Sequence, residues 1–389
     1  MALITKQAAP KLAGLELNSL LAAGVLPAER FEQARMSATA TSIHDLNGEV
    51  LFYRIPIVRG RVSDSFADVA AYPVFGGVLL RVGQGLTWDE KALVKLAEAA
   101  ARKKQRSFKY DRARFVAFSY PKIAIQFLAG EEEVAMIELG SWALVPPARQ
   151  RKENEPPSDF DRWSLIEEYP PMRPRESEKV LGERLRQWGE VVPEAYDARI
   201  LDSARYLRTF DAMIAIRNDT RTIAYGTKAG DHVPCFQLRG QITSVWCVAA
   251  SVEMILDFYR YNYDQIRIAA DLGLGTVASP NGLPYTSDAL VVTVLEALTS
   301  NALDASMNTA PSWAEFRSEI RDNRPVISFV PGHSRAVAGY TASRTFVWNG
   351  FRGLLVYDPW PPTSGVITQW ENFDATTYRR TFTAHVNLA

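Results

Sequence analysis

The chain has 389 residues, and its 44 Lys and Arg are balanced by 44 Asp and Glu, so the formal net charge is zero. A balanced chain does not concentrate phosphates or anionic lipids around itself, which argues against nucleic acid or a membrane surface as the principal partner. The composition, 47% hydrophobic and 23% charged, is typical of a soluble globular protein with a large core. At this length two domains are the first expectation.

The sequence shows no recognisable targeting or spanning segment. The apolar residues at 12–26 are interrupted by Glu16 and Asn18, and no small-residue cleavage pattern follows, so a secretory signal is not predicted. A membrane span needs about 18 apolar residues in a row, and no such run occurs. The two cysteines, Cys235 and Cys247, suit a reducing compartment. We therefore expect a cytoplasmic protein, or one exported without a cleaved signal peptide.

Residues 1–145 are predicted to form an α+β domain of their own. Apolar residues near the N-terminus recur with helical spacing. The pattern Thr87 followed by Glu90 resembles a capping box, which predicts a helix ending in the basic residues 102–104. Stretches rich in β-branched and aromatic residues predict strands at 49–59, 72–82, 115–120, 122–128 and 133–145.

A change of composition follows at residues 146–179, where prolines alternate with charged side chains. Proline lacks a backbone donor and charges resist burial, so this segment is predicted to be an extended, exposed linker between domains. The alternative is a long surface loop within one domain. Residues 180–230 are predicted to be a helical connector, with helices at 176–192 and 202–214 and strand-like residues at 222–225.

The first candidate for chemistry is Cys247. Apolar residues with a helical period follow it through 248–259, which places the cysteine at the start of a buried helix, and Thr243 or Ser244 is expected to cap that helix. A helix N-terminus lowers a cysteine pKa from about 8.5 toward neutrality, which favours the nucleophilic thiolate. The alternative is a structural cysteine in the core.

Gln241 lies six residues before this cysteine. At that spacing its side-chain amide can reach the same point as the backbone amide of Cys247, and two converging donors would form an oxyanion hole. Gln237 shows that glutamine is not rare in this stretch, but the spacing favours Gln241.

A general base and its orienting group are predicted further along. His333, one of only four histidines, follows a strand-like run at 325–330, and a strand end holds an imidazole rigidly. The next predicted hairpin, with its turn at Asn349–Gly350, ends in Asp358. That carboxylate is suited to fix the tautomer of the imidazole. Read alone, an aspartate before Pro359 is more often a turn former.

Four short motifs in this order carry a resemblance to a known family. They are a glutamine, Trp-Cys before Ala-Ala at a helix start, Gly-His at a strand end, and Tyr-Asp-Pro. Residues 231–389 thus resemble the C39-like branch of the papain-like cysteine peptidases, and are similar to the bacterial effector proteases of the AvrRpt2 type.

The resemblance implies a papain-like α+β fold, in which the helix carrying the cysteine packs on an antiparallel sheet. It implies Cys247 as nucleophile, His333 as base, Asp358 as orienting group and Gln241 as oxyanion donor. The implied reaction is hydrolysis of peptide or isopeptide bonds in a protein or peptide substrate, with no cofactor and no metal.

Other functions remain open at this level. An acyltransferase or amidase could use the same triad, and a peptidase-fold binding protein could leave it unused. A zinc site from His232, Cys235 and Cys247 is disfavoured, because its spacing fits no usual ligand pattern and a fourth ligand is missing. Residues 1–230 show no motif of a known family. They are expected to act as an intramolecular inhibitor, which would make the chain a zymogen, or to recruit the substrate.

Overall fold

The computed structural model describes most of the chain. The described residues are 3–60, 62–85, 87–105, 107–152, 155–158, 161–210, 217–223, 236–345 and 348–387. The helices, in chain order, are α1 Ala9–Ala22, α2 Ala28–Phe31, α3 Glu90–Lys104, α4 Pro174–Val191, α5 Ser203–Phe210, α6 Cys247–Phe258, α7 Gln265–Asp271, α8 Leu290–Leu298 and α9 Trp313–Arg321. Within the described ranges, no helix combines the length and apolar composition required to cross a membrane.

The strands are mostly short and belong largely to one sheet. In chain order they are β1 Arg35–Met36, β2 Thr41–His44, β3 Val50–Arg59, β4 Val62–Ala70, β5 Leu79–Gln84, β6 Arg112–Ser119, β7 Lys122–Ala129, β8 Glu132–Glu138, β9 Arg217–Thr222, β10 Gly275–Thr276, β11 Ser279–Pro280, β12 Leu303–Asn308, β13 Val326–Val330, β14 His333–Thr345, β15 Trp348–Asp358, β16 Val366–Asn372 and β17 Arg380–Val386.

Fifteen of the described strands form a single sheet that crosses the predicted domain boundary. Its order is β12-β17-β13-β14-β15-β16-β5-β4-β3-β2-β6-β7-β8, with β1 beside β3 and β9 beside β14. The C-terminal and N-terminal strands meet where β16 pairs with β5, so that Glu371 lies opposite Arg81. The expected combination of helices with a mainly antiparallel sheet is confirmed, although β2 and β6 pair in parallel. A separate N-terminal domain is not confirmed, because strands of both parts share this sheet.

Most predicted strands of the N-terminal part are found within a few residues of their predicted ends. The 72–82 prediction was only partly right, since the strand begins at Leu79 and a short 3₁₀ turn precedes it. Strand β4 was missed because polar residues interrupt its apolar pattern. Helix α3 is found where a helix was predicted, but the capping box was wrong, because the helix begins at Glu90, later than a cap at Thr87 would place it. Asp89 stands directly before the first helical residue, and its carboxylate accepts the Ala92 amide at 3.1 Å in place of Thr87.

The segment predicted as a linker is extended before α4, but the prediction that it is exposed was wrong. Trp163 and Leu165 are buried in an apolar cluster with side chains from β6 and β7. The Trp163 indole donates to the Ser119 hydroxyl at 2.8 Å, and its backbone amide donates to the Phe118 carbonyl at 3.0 Å. Aromatic burial therefore holds this segment against the sheet. Domain boundaries at 145 and 230 stay a prediction.

The connector and the C-terminal part agree with the expected order of elements. Helices α4 and α5 occur where helices were predicted, although residues 211–216 lie outside the described ones. The strand expected at 222–225 is found earlier, as β9, and 224–235 are not among the described residues. Helix α6 packs on the sheet against β13 and β14, which brings its first turn toward the start of β14.

Candidate active site

Helix α6 begins at Cys247, as the apolar period predicted, and this residue is buried. The predicted capping by Thr243 or Ser244 was wrong. The residue before the helix is Trp246, and the Thr243 hydroxyl instead accepts the Val245 amide at 3.3 Å, ahead of the helix. The first amides of a helix have no intrahelical acceptor, so the positive end of α6 is directed at its own first residue. A helix N-terminus favours a thiolate, whereas burial in apolar surroundings opposes one.

A pair of serines fixes α6 against the start of β14. The Ser334 hydroxyl donates to the Ser251 hydroxyl at 2.9 Å, and both residues are fully buried. Ser251 lies one helical turn after Cys247 on the same face of the helix, while Ser334 directly follows His333. The bond therefore holds the ends of the two elements that carry the predicted nucleophile and base beside each other.

His333 and Asp358 are in direct contact, as the sequence suggested. The imidazole Nε2 lies 2.7 Å from Asp358 Oδ1, and both side chains are buried. Strand β14 begins with the histidine and the neighbouring β15 ends with the aspartate, so the antiparallel pairing brings them together. Nδ1 of the same ring is buried and has no hydrogen-bond partner within the described part of the chain. The aspartate thus occupies one ring nitrogen and leaves the other for a nucleophile.

Further bonds determine the charge state of Asp358. Its Oδ1 also accepts the backbone amide of Trp360 at 2.9 Å. Burial by itself would raise the pKa of this carboxyl. The charge and hydrogen bond of His333, together with the charge of Arg335 and the Trp360 amide, outweigh burial and leave the pKa below its ordinary value. An ionised Asp358 can stabilise an imidazolium ring at His333.

Gln241 is completely buried beside the segment that follows Asp358. Its backbone amide donates to the Pro359 carbonyl at 3.0 Å, and its carbonyl accepts the Thr363 amide at 2.8 Å. The side-chain Nε2 donates to the Thr243 carbonyl at 2.7 Å. A primary amide carries two N–H groups, so this bond leaves one N–H for another acceptor. Gln237, the alternative glutamine, is exposed.

Sequence reasoning missed the residue that secures the Gln241 loop. Gln265, at the start of α7, is buried, and its Nε2 donates to the Gly240 carbonyl at 3.0 Å. Its Oε1 accepts the Ile242 amide, also at 3.0 Å. The two bonds hold the backbone on both sides of Gln241. No local pattern marks Gln265, because its partners lie more than twenty residues away.

The site is closed to solvent. Cys247 is 1% exposed and His333 4% exposed. We call residues 155–158 and 161–163 the covering segment. Its residues Pro157 and Ser158 line a cavity of about 30 Å³ next to Val248 and His333, a space for roughly one water molecule.

Gly332 shows how tightly the covering segment packs. With its φ of +63°, a Cβ there would lie 3.0 Å from Ser119 Oγ, 3.1 Å from the Ser158 carbonyl oxygen and 3.2 Å from Trp163 Nε1. Only glycine fits this conformation and this space without strain. The covering segment therefore packs tightly against the turn that precedes His333.

A metal centre finds no support among the described residues. No group of three or more His, Cys, Asp or Glu side chains in the described ranges is arranged to hold a metal ion. The disfavoured zinc site includes His232 and Cys235, which lie outside the described residues.

Comparison with known proteins identifies the C-terminal part. Residues 231–386 match the Peptidase_C39 like family, and no curated protein matches the chain. One solved structure that aligns with the chain is described as "Crystal structure of a double glycine motif protease from AMS/PCAT transporter in complex with the leader peptide". The identity is 14%, the alignment covers 41% of this chain and 97% of that chain, and the TM-score is 0.28. A TM-score this low gives the likeness no weight.

The family match spans α6 and the strands that carry His333 and Asp358, and it ends at the last residue of β17. It does not extend to the AvrRpt2 type, which stays a prediction. Through residues 231–386, this chain is therefore similar to the Peptidase_C39 like family, which supports a C39-like peptidase domain in this part of the molecule.

Proposed function

We propose that the chain is a cysteine peptidase of papain-like fold that cleaves peptide or isopeptide bonds with Cys247 as nucleophile. The observation that carries this proposal is the His333 to Asp358 contact of 2.7 Å, next to a helix that begins with a cysteine. A histidine held by a carboxylate through one nitrogen can accept the thiol proton at the other. The resulting thiolate attacks the carbonyl carbon, and the imidazolium then protonates the leaving amine.

Gln241 completes the proposed site as an oxyanion donor. Its loop is tied to the segment after Asp358 by two backbone bonds, so its remaining amide N–H is held in place before the substrate arrives. Preorganised donors of this kind stabilise the negative charge of the tetrahedral intermediate more than water does. The backbone amide of Cys247, at the start of α6, is the second proposed donor.

The N-terminal part is proposed to regulate access to this site or to recruit substrate. The burial of Cys247, together with the packing of the covering segment beside His333, supports the inhibitory role. In that case the chain as described is a closed form, and cleavage or displacement of the covering segment opens it. The protein or peptide substrate, and the cytoplasmic or signal-free exported location, are likewise proposals.

Alkylation tests the nucleophile. The full chain is treated with iodoacetamide across a pH series, and labelling of Cys247 and Cys235 is followed by mass spectrometry. We expect the labelling rate of Cys247 to reach half its maximum at a pH well below the ordinary thiol pKa of about 8.5, with Cys235 as the reference. The midpoint reports the thiolate population as long as the labelling rate is proportional to the iodoacetamide concentration, which shows that alkylation and not opening of the site limits the rate.

Hydrolysis of fluorescently labelled casein tests the reaction class. The Cys247→Ala variant should keep its circular dichroism spectrum and lose all hydrolysis, because it removes one sulfur and the proposed nucleophile. Unchanged hydrolysis by this variant would refute the assignment. An ordinary labelling midpoint at Cys247 would instead favour a catalytically silent binding protein. Consumption of substrate only when an added amine is present would identify the acyltransferase.

A further inference from the structure

One buried carboxylate from outside the family match reaches the proposed catalytic centre. Glu138 is the last residue of β8, in the N-terminal part of the chain, and it is 4% exposed. Its Oε1 accepts the indole N–H of Trp360 at 3.1 Å. The backbone amide of that same Trp360 donates to Asp358, which contacts His333. Three hydrogen bonds, linked through the covalent frame of Trp360 and the carboxylate of Asp358, thus connect β8 to the imidazole.

The same carboxylate contacts the other side of the site. The Ser244 hydroxyl hydrogen-bonds Glu138, and Ser244 lies three residues before Cys247. Glu138 therefore bridges the segment that leads into α6 and the segment that follows β15. These two segments carry the proposed nucleophile and the proposed orienting group.

The turn after β8 lies very close to the segment that follows Asp358. Gly140 has a φ of +89°, and a Cβ there would lie 2.4 Å from Cβ of Pro361. Side chains with a Cβ are excluded at such a contact. The turn and Glu138 together hold residues 360–361 in one position.

Burial of the Glu138 carboxylate costs free energy. Burial raises its pKa, while the charge of Lys122 and hydrogen bonds from Ser141, Trp360 and Ser244 lower it, and burial prevails. A buried carboxylate costs free energy unless it is paired and hydrogen-bonded. An apolar residue here would pack without that cost but could not hold the Trp360 indole.

We propose that Glu138 is a positioning residue of the catalytic centre, which holds Trp360 and thereby the Asp358–His333 pair. This inference rests on the proposed peptidase function. It assigns part of the active site to strand β8, outside the residues that match the family. Removal of the N-terminal strands would then impair the enzyme, and the covering segment alone would act as the inhibitor.

The chain offers a matched control. Glu16 in α1 is also fully buried, accepts the indole N–H of Trp188 at 2.7 Å and is paired with Arg184 at 3.1 Å. It forms the same kind of contact in a part of the chain that the family model does not cover. A general effect of losing a buried Glu–Trp bond would appear equally at both places.

The test uses the pH midpoint of Cys247 labelling by iodoacetamide in the full chain. The charged groups that face Asp358 are His333, Arg335 and Arg81, and its carboxylate also accepts the Trp360 amide. Glu371 acts on Arg335 in turn. Of these residues only Trp360 is changed, and only in its side chain. We expect Glu138→Met and Trp360→Phe each to raise the midpoint by about one pH unit, which is about a tenfold smaller thiolate population at a fixed lower pH. Glu138→Gln keeps a carbonyl acceptor for the Trp360 indole, so its midpoint should lie close to the wild-type value.

The outcomes separate the two proposals. Glu16→Met and Trp188→Phe should leave the midpoint at the wild-type value. An acid-shifted wild-type midpoint that stays unchanged in Glu138→Met and Trp360→Phe would overturn the positioning role and leave the peptidase proposal standing. Equal shifts in the Glu16 and Glu138 variants would also overturn it. An ordinary midpoint in the wild type would refute the peptidase proposal itself. If Glu138→Met fails to fold, Trp360→Phe, which keeps an aromatic ring, decides the question.

Discussion

At the scale of single residues, the buried pair His333 and Asp358 carries most of the functional argument. An aspartate before a proline is by itself more often a turn former. The 2.7 Å contact with the imidazole gives this one a second role, which its lowered pKa reflects. The sequence placed both residues at strand ends, and the pairing of β14 with β15 brings those ends together.

We expect Asp358→Asn to slow peptide hydrolysis by about tenfold or more, which corresponds to about 1.4 kcal/mol in the barrier. The amide keeps the size and turn preference of the aspartate but cannot stabilise an imidazolium ring as a carboxylate does. Casein hydrolysis and thermal unfolding would be measured on the same samples. The exposed Asp322→Asn is the control. Equal rates in Asp358→Asn and the wild type would place the third member of the triad elsewhere.

The Asp358→Asn variant should also change how the free energy of unfolding depends on pH. Because the folded pKa of Asp358 is lowered, its contribution to stability is complete above the unfolded value of about 3.9. The contribution is lost as the pH falls through the lowered folded pKa. Urea unfolding should therefore show the wild type more stable than Asp358→Asn at neutral pH, with the difference shrinking in acid. A difference that grows in acid would contradict the assigned direction of the pKa.

At the scale of elements, the covering segment determines whether the site is open. The described residues between 146 and 173 form no regular strand or helix, so side chains contribute much of what holds them in place. Trp163 is the largest of these side chains, and its indole donates to Ser119 and packs beside Gly332. The charged composition suggested a free linker, but charged side chains of the segment pair with one another, as Arg149 does with the buried Asp161.

We expect Trp163→Phe to raise the maximal rate of Cys247 labelling by iodoacetamide several-fold while leaving its pH midpoint unchanged. The phenyl ring fills part of the apolar space but cannot donate to Ser119, so the covering segment opens more often. Trp188→Phe, a buried tryptophan bonded to Glu16, is the control. If both variants label at the wild-type rate, the covering segment does not limit access to the thiol.

At the scale of the whole molecule, a row of buried charges crosses the sheet between its two halves. In the strand register, Arg54 lies opposite Asp68, Asp68 opposite Arg81, and Arg81 opposite Glu371. Glu371 in turn binds Arg335, two residues after His333, at 2.9 Å. Removing one partner of a buried ion pair typically costs about 3–5 kcal/mol. The ion pairs form within each half, Asp68 with Arg54 and Arg81, and Glu371 with Arg335. Across the halves, Arg81 and Asp358 interact through their charges.

We expect a chain that begins at residue 180 to be less stable and less active than the full chain. It loses β5, which leaves β16 as an unpaired sheet edge, and unpaired edges promote aggregation. It also loses Arg81 and Glu138. Size-exclusion chromatography and casein hydrolysis would be compared for both chains. Faster hydrolysis by a soluble shortened chain would show instead that the N-terminal part is a removable prodomain.

Local patterns were sufficient for the elements that carry the candidate site. The apolar period placed the start of α6 at Cys247, and β-branched runs placed β13 before His333, because side-chain spacing and burial are properties of neighbouring residues. The hairpin turn expected at Asn349–Gly350 was wrong, since both residues belong to β15 and the connection lies at 346–347, outside the described residues.

The sequence by itself determined most strands of the N-terminal part, the buried helix that begins with Cys247, and the set of Gln241, His333 and Asp358 as candidates. Only the tertiary structure decided that β16 pairs with β5, that the proline-rich segment covers the site, and that Glu138 holds Trp360. Glu138 and Trp360 are 222 residues apart in the chain, and no local pattern encodes such a pair. Contacts of this kind arise from the burial of whole surfaces, whose free energy depends on which elements meet and not on the residues of either element alone.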